Sequence, residues 1–335
     1  MTAMEPKVRR PMSELMTRLR QITLPDEPNT IDSDGIVTIF TVREAARVFG
    51  VEFQFHGSVS LHIQSCEGFS VTLNETEEVV CCRILQSRLG DEQLFDTFIG
   101  DLMDLIIRMH DEPIDLRARA LERRVACWRA FMHAMDRELS PELERGLFGE
   151  LTVLKTLLIK GVEKPLADLW TGPLRNEHDF SISKTEALEV KTSSSKLPFV
   201  PCIDNVMQLD STDREDLMLV AVHLVESPEG ETLAELYRRV EHMLSYADRD
   251  EMKNLMLVQH VDLEHPGREL KRFSVNFVRT FRADSLPRIT RGTVPGIIDA
   301  LYRIVVVDEL GRPPVGVVEV PDYLPFVPHT SFGLC

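Results

Sequence analysis

The sequence predicts a mixed α/β (α+β) protein: a mixed sheet flanked by helices, preceded by a small, mainly antiparallel β region and a helical connector. Three observations predict it. Between residues 35 and 90 apolar side chains alternate, as in "VEFQFHGSVSLHIQ", where Val51, Phe53 and Phe55 and then Val59, Leu61 and Ile63 take every second place. The spacing then changes to three and four residues in "DEQLFDTFIGDLMDLIIRMH" and "PIDLRARALERRVACWRAFMHAM". Finally, residues 138–335 read in the order helix, hairpin, strand, helix, as a layered sheet-and-helix domain requires.

Taken in order, residues 1–34 read as an arm and linker, with a short amphipathic pattern, "MSELMTRLRQITL", followed by the breaker-rich "PDEPNTIDSDG". Residues 35–90 form the β domain, and residues 91–137 form two helices separated at Pro113. The last domain, 138–335, opens with "SPELERGLFGELTVLKTLLIKG". Ser140 can cap this helix, Pro141 fits its first turn, acids follow, and Gly161 closes it. Then come the hairpin "HDFSISKTEALEVKTSSSK", strands at "VPCIDNV" and "LMLVAVHLV", a helix at "ETLAELYRRVEHMLSYA", a strand at "RFSVNFVRTFRA" and an irregular Pro-rich tail.

A chain of 335 residues is long enough for two domains. It has no apolar run near the ~20 residues that span a bilayer. No apolar segment follows the basic N-terminus, so no signal peptide is expected. The six cysteines have no CxxC or zinc-ribbon spacing. Reduced thiols, and hence a cytoplasmic location, are expected. No HExxH, Walker A or GxGxxG run is present, which argues against a zinc hydrolase, a P-loop nucleotidase and a Rossmann dinucleotide site. A net charge of −16 opposes indiscriminate coating of nucleic acid. A polyanionic substrate would need a local basic patch, and two stretches could supply one: Arg117, Arg119, Arg123, Arg124 and Arg129, or the arginines between Arg268 and Arg291 with Lys271.

The chemistry concentrates in the hairpin. Successive strand side chains point to opposite faces, so Leu188 and Val190 can face a core while Glu189 and Lys191 face outward together. A turn centred on Lys184 places Asp179 opposite Glu189, with Cβ atoms about 5 Å apart. Two carboxylates this close repel unless something compensates. A divalent cation compensates: Mg²⁺ (or Mn²⁺ in its place) takes hard oxygen ligands, here Asp179, Glu189 and the Val190 carbonyl. Lys191 would then serve an attacking water and the charge developing on a phosphate. Upstream, Glu150 interrupts the edge of an apolar stripe formed by Leu143, Leu147, Leu151, Leu154 and Leu158. An acid there is partly desolvated, and Gly146 and Gly149 would let the helix approach the sheet.

Asp179 followed by Glu189-Val190-Lys191 resembles the PD-(D/E)XK phosphodiesterase superfamily of restriction endonucleases and related DNA nucleases. His178 stands where that motif has its leading proline. The runs "GLFGEL", "W.GP", "HDF", "EVKTSS" and "QL" are similar to an uncharacterised branch found among bacterial restriction and phage-defence proteins. The resemblance is close over residues 142–225 and looser beyond. It implies a restriction endonuclease-like sheet, a helix acid at Glu150 reaching the metal, and a glutamine at Gln208 added to the site. It also implies Mg²⁺-dependent hydrolysis of DNA within a restriction or defence complex, with separate methylation, ATPase or targeting subunits as protein partners; the lack of a long apolar run leads to an expectation of no membrane association, and a homo-oligomer stays open.

Ser193, Ser194 and Lys196, with Ser195 between them, are candidate contacts to DNA phosphates, or else a polar loop. His178 either touches substrate or simply begins its strand. The plainer alternatives for the remaining residues are a surface ion pair for the acid-and-lysine set, pairing of Glu150 with Lys155 or an arginine, and a strand-end cap for Gln208. Two rivals to the nuclease reading remain: an assembly or DNA-binding subunit that keeps the fold without catalysis, and a cysteine-nucleophile hydrolase supported only by scattered Cys and His.

Overall fold

The computed structural model describes residues 19–21, 27–44, 48–87, 91–133, 139–174, 176–212, 216–263, 269–290, 299–321 and 323–324. The chain divides into two compact units, Met1–Met135 and Asp136–Cys335.

The first unit holds five antiparallel strands: β1 (Asn29–Ser33), β2 (Val37–Glu44), β3 (Val48–His56), β4 (Phe69–Glu75) and β5 (Val79–Gln86), in the order β1-β2-β3-β5-β4. β1 lies inside the stretch read as linker. The Val59 to Ile63 alternation is not a strand; Val59 and Leu61 are buried as irregular chain. Most of the amphipathic N-terminal pattern lies outside the described residues. The two helices expected as a connector, α1 (Glu92–Arg108) and α2 (Ile114–His133), belong to this unit. Their apolar faces need a partner, and Phe98 stacks on Phe69 of β4 at 4.7 Å and lies 5.7 Å from Trp128 of α2.

Two arginines of α2 expected on the surface are interior. Arg124 donates to buried Asp101 at 2.7 Å, and Arg117 donates to Asp34 at 2.6 Å. The other carboxylate oxygen of Asp101 accepts the Trp128 indole N–H at 2.6 Å. These positive charges are spent inside the unit and offer nothing to a polyanion.

In the second unit, α3 (Pro141–Ile159) begins and ends as its sequence requires. Ser140 Oγ accepts the Leu143 N–H at 3.1 Å, Pro141 opens the first turn, and Gly161 takes φ +78°. A short turn, α4 (Leu166–Leu169), leads to the hairpin β6 (Phe180–Ser181) and β7 (Glu186–Ser193). β8 (Cys202–Ile203) pairs with β11 (Tyr302–Arg303), and β9 (Asp216–Thr232) continues into α5 (Leu233–Met243). The expected single helix here is two: Ser245 Oγ accepts the Asp248 N–H at 3.2 Å and starts α6 (Tyr246–Val258). β10 (Arg272–Arg282) completes a mixed sheet of order β10-β9-β7-β6, with β7 parallel to β9 and the other pairs antiparallel.

This sheet is covered on both faces. Leu188, Val190, Val220 and Val222 share a core with Leu147, Leu151 and Leu154 of α3, whereas Ala187, Leu219 and Ala221 share another with Phe199, Phe281 and Val306. The face of β7 that alternation assigned to solvent is therefore interior, as expected for a parallel pair in the middle of a sheet.

The Asp101 cluster gives a stability prediction. Asp101→Ala leaves Arg124 and the Trp128 N–H buried without this acceptor, so it should destabilise the first unit by about 3–5 kcal/mol. Urea denaturation measures this, and a loss below about 1 kcal/mol would contradict the structural role assigned to the cluster.

Candidate functional site

β6 is only two residues long. Its register, Phe180↔Leu188 and Ser181↔Ala187, is the one centred on Lys184, and it ends before Glu189. Among the described residues no strand lies beside that edge of β7 beyond Leu188, so its backbone donors need other acceptors. Asp179 provides one: its Oδ2 accepts the Val190 N–H at 2.7 Å. The N–H and C=O of a strand residue point to the same edge, so the Val190 carbonyl faces the side on which Asp179 lies.

Asp179 is itself fixed from behind. Its carbonyl accepts the N–H groups of Thr171 at 2.8 Å and Gly172 at 3.0 Å, while Thr171 Oγ1 donates to the His178 carbonyl at 2.8 Å. Gly172 is required here by proximity. A Cβ at that position would stand 2.7 Å from Asp179 Oδ1 and 3.2 Å from Glu150 Oε2. The two carboxylates thus share one small space that a side chain would fill.

Glu150 reaches this space from α3. The fully buried Trp170 holds it, the indole N–H donating to Glu150 Oε2 at 2.7 Å. Gly149 makes the approach possible, because a Cβ there would overlap Thr192 Oγ1 on β7. Gly146, expected to act in the same way, faces open space and does not.

Glu189 is buried and Lys191 nearly so. Lys191 Nζ lies 3.1 Å from Glu189 Oε1 and donates to Gln208 Oε1 at 2.8 Å and to Asp204 Oδ2 at 3.2 Å. His178 is buried, its Nδ1 at 4.0 Å from Glu189 Oε2.

The electrostatics follow from three acids, Glu189 buried and Glu150 and Asp179 half-buried, sharing one ammonium. Burial foremost, then the nearby Asp179 charge, pushes Glu150 up to about 8, against the lowering effects of the Trp170 N–H and Lys191. Burial raises Asp179 to about 6 even though the Val190 N–H and Lys191 oppose it. Glu189 is raised well above the usual range, first by burial and then by Asp179. Burial works against the Lys191 charge, but Glu189 and Asp204 outweigh it and hold the ammonium above its ordinary value. Near neutrality Glu150 therefore keeps its proton, which removes one negative charge from the group.

The structure brings Glu150, Asp179, Glu189, Lys191 and Gln208 together. Glu150 does not pair with Lys155, which lies in the field of Glu231 and Arg239. Ser193 ends β7 and its Oγ accepts the Ser195 N–H at 3.2 Å; Ser194 is half-buried and Lys196 exposed in the same turn. The Ser195 carbonyl accepts from His223 Nε2 at 2.7 Å. Three residues not singled out as site residues join the set: Trp170, Gly172 and Asp204. A glycine between a buried Trp and a Pro was visible in "W.GP", but its role as the floor of a carboxylate cradle depends on tertiary contact.

Arg268 and Arg291 lie outside the described residues, and within the described part of the basic stretch Lys271 and the β10 arginines are largely neutralised. Lys271 pairs with Glu226, Arg272 with Glu235, Arg279 with Glu319, and Arg282 with Asp216 and Asp284.

Among the described residues no three or more His, Cys, Asp or Glu are already gathered as a metal-binding cluster. The donors fit a hydrated hard cation better than a closed cage. One or two carboxylates plus waters is the usual protein contribution to Mg²⁺, and the carboxylate space above Gly172 consists of such oxygens.

A raised acid binds its proton more tightly folded than unfolded, so stability falls as pH rises from the ordinary carboxyl value to the raised one. For Glu150 that window runs from 4.5 to about 8. Calorimetry in EDTA should therefore show the wild type losing melting temperature across it, and Glu150→Gln losing less. Identical pH slopes would contradict the placement of this acid.

The chain matches, over residues 30–306, the family described as "Putative PD-(D/E)XK family member, (DUF4420)". No curated protein and no solved structure matches it. The match includes Glu150, Asp179, Glu189 and Lys191, and the sheet with its flanking helices has the restriction endonuclease-like form. This chain belongs to that PD-(D/E)XK family, with the nuclease-like fold that membership carries.

Proposed function

We propose that this chain is a Mg²⁺-dependent DNA endonuclease, the nuclease subunit of a bacterial restriction or phage-defence system. The observation that carries the reading is the convergence of Asp179, Glu189 and Lys191 on the uncovered end of β7, with Glu150 arriving from α3. Buried like charges this close are costly for stability alone. Perturbed acids gathered around one cation are a mark of functional sites.

Asp179 and Glu189 would hold the cation, with the Val190 carbonyl as a third oxygen, and Mn²⁺ would substitute. When bound, the ion supplies Lewis-acid polarisation of a phosphate and a more acidic water. The protein's own groups do the rest. Asp179 is aligned by the Val190 N–H, Lys191 is oriented by Gln208, and Glu150 is held by Trp170. The Lys191 ammonium faces charge developing on the phosphate, while Ser193, Ser194 and Lys196 lie next along the strand to receive the DNA backbone.

Cys66, Cys81, Cys82, Cys127 and Cys202 are free thiols, which fits a reducing cytoplasm. Among the described residues no helix is long and apolar enough to cross a membrane. The second reading, an assembly or DNA-binding subunit without catalysis, draws support from the charge of −16 and the paired arginines of β10. Those same facts suggest that DNA is delivered by partner subunits.

The test is Mg²⁺-dependent plasmid cleavage, with candidate partner proteins added. Lys191→Ala should lose about 10²–10³ in rate while keeping metal binding. Lys191→Arg should rescue poorly, because a planar guanidinium does not replace a compact ammonium. Cleavage that persists in Lys191→Ala or in EDTA would overturn the mechanism. No cleavage by the wild type with its partners would favour the assembly reading.

A further inference from the structure

An ammonium has three N–H donors, and among the described residues the three oxygens around Lys191 Nζ use them all: Glu189 at 3.1 Å, Gln208 at 2.8 Å and Asp204 at 3.2 Å. As it stands, the lysine has no donor left for a phosphate oxygen. One of the three acceptors must therefore give way before Lys191 can touch DNA.

The surroundings of each acceptor decide which one yields. Glu189 is buried, its side chain only 3% exposed. Gln208 is locked into its loop: Oε1 also accepts the Asp204 N–H at 2.9 Å, and the Gln208 N–H donates to Asn205 Oδ1 at 3.2 Å. Asp204 makes the longest of the three contacts, and its side chain is 59% exposed. An exposed ion pair of this kind is weak, because water screens it and two side chains must be held in one geometry. Asp204 is also an anion lying where a phosphate would approach, and it adds repulsion to that approach.

We infer that Asp204 is a positioning residue that occupies the phosphate's place on Lys191, parks the ammonium in the free protein, and is displaced by a phosphate of the DNA backbone. The inference rests on the nuclease reading and deepens it: the loop after β8 sets how strongly that site engages a polyanion. Asp204 would thereby restrain an otherwise complete site until DNA is presented closely enough to compete. The Asp204 carboxylate also meets the Cys202 thiol, but Gln208 is held through the Asp204 backbone, a tie that substitution of the side chain leaves in place.

The experiment measures binding of a fluorescein-labelled DNA duplex to the full chain by anisotropy, in Ca²⁺ to limit cleavage and again in EDTA, across a salt series. Asp204→Asn and Asp204→Ala should bind about fivefold more tightly than wild type, the equivalent of ~1 kcal/mol. Their plots of log K against log salt should steepen by up to about 0.9, because one anion beside the bound phosphate is gone. Asp204→Glu, which keeps the charge, should remain close to wild type. In cleavage, the fall should be in KM with kcat little changed. A merely structural role predicts weaker binding in all three variants. Equal or weaker binding by folded Asp204→Asn, against a wild type that binds, overturns this inference alone. The series is run with and without the candidate partner proteins, and absence of binding by every form in both conditions overturns the nuclease reading and this inference with it.

Discussion

Three carboxylates held close to one ammonium, with little water around them, are the constraint on which the second unit depends. Glu150, Asp179 and Glu189 come from a helix, a strand entry and a strand centre, and Lys191 cannot neutralise them all. Burial raises Asp179 to about 6, and burial together with the Asp179 charge raises Glu150 to about 8, so protonation relieves the repulsion when nothing else does. A divalent cation would relieve it in another way, by displacing those protons. Any affinity for such a cation would be coupled to proton release by the same charges.

Much of the local architecture serves to hold the acids in that arrangement. β6 stops after two residues, so the Asp179 side chain rather than a neighbouring strand satisfies Val190. Gly149 lets α3 lie against β7, and Gly172 leaves room for two carboxylates where a Cβ would intrude. Trp170 is fully buried yet needs an acceptor for its indole, and Glu150 provides it. The apolar packing of Leu147, Leu151 and Leu154 against Leu188 and Val190 supplies the rigidity. The hydrophobic core and the polar site are therefore two faces of the same helix-on-strand contact.

What could be read in the sequence was what depends on local periodicity and spacing. The α3 cap at Ser140, its Gly161 terminus and the hairpin register centred on Lys184 follow from short-range rules, and all three are seen. Placement of Asp179 beside Val190 follows from that register. Long-range packing was less legible. Alternation could not reveal that the Glu189 face of β7 is covered, because the covering residues, such as Phe281 and Val306, are distant in sequence. Charge counting could not show that Arg117 and Arg124 are interior or that β10 is neutralised by acids on β9, α5 and the segment near Glu319. Asp204 carried no motif at all, and only the return of its loop to Lys191 reveals it.

The central claim is that these acids form a cation cradle at the end of β7. Crystals soaked in Mn²⁺ and measured at its absorption edge test it most directly. The expected result is an anomalous peak bonded to carboxylate oxygens of both Asp179 and Glu189, lost in Asp179→Asn. A well-ordered, fully closed site with Mn²⁺ bound elsewhere and none between these two acids would contradict it.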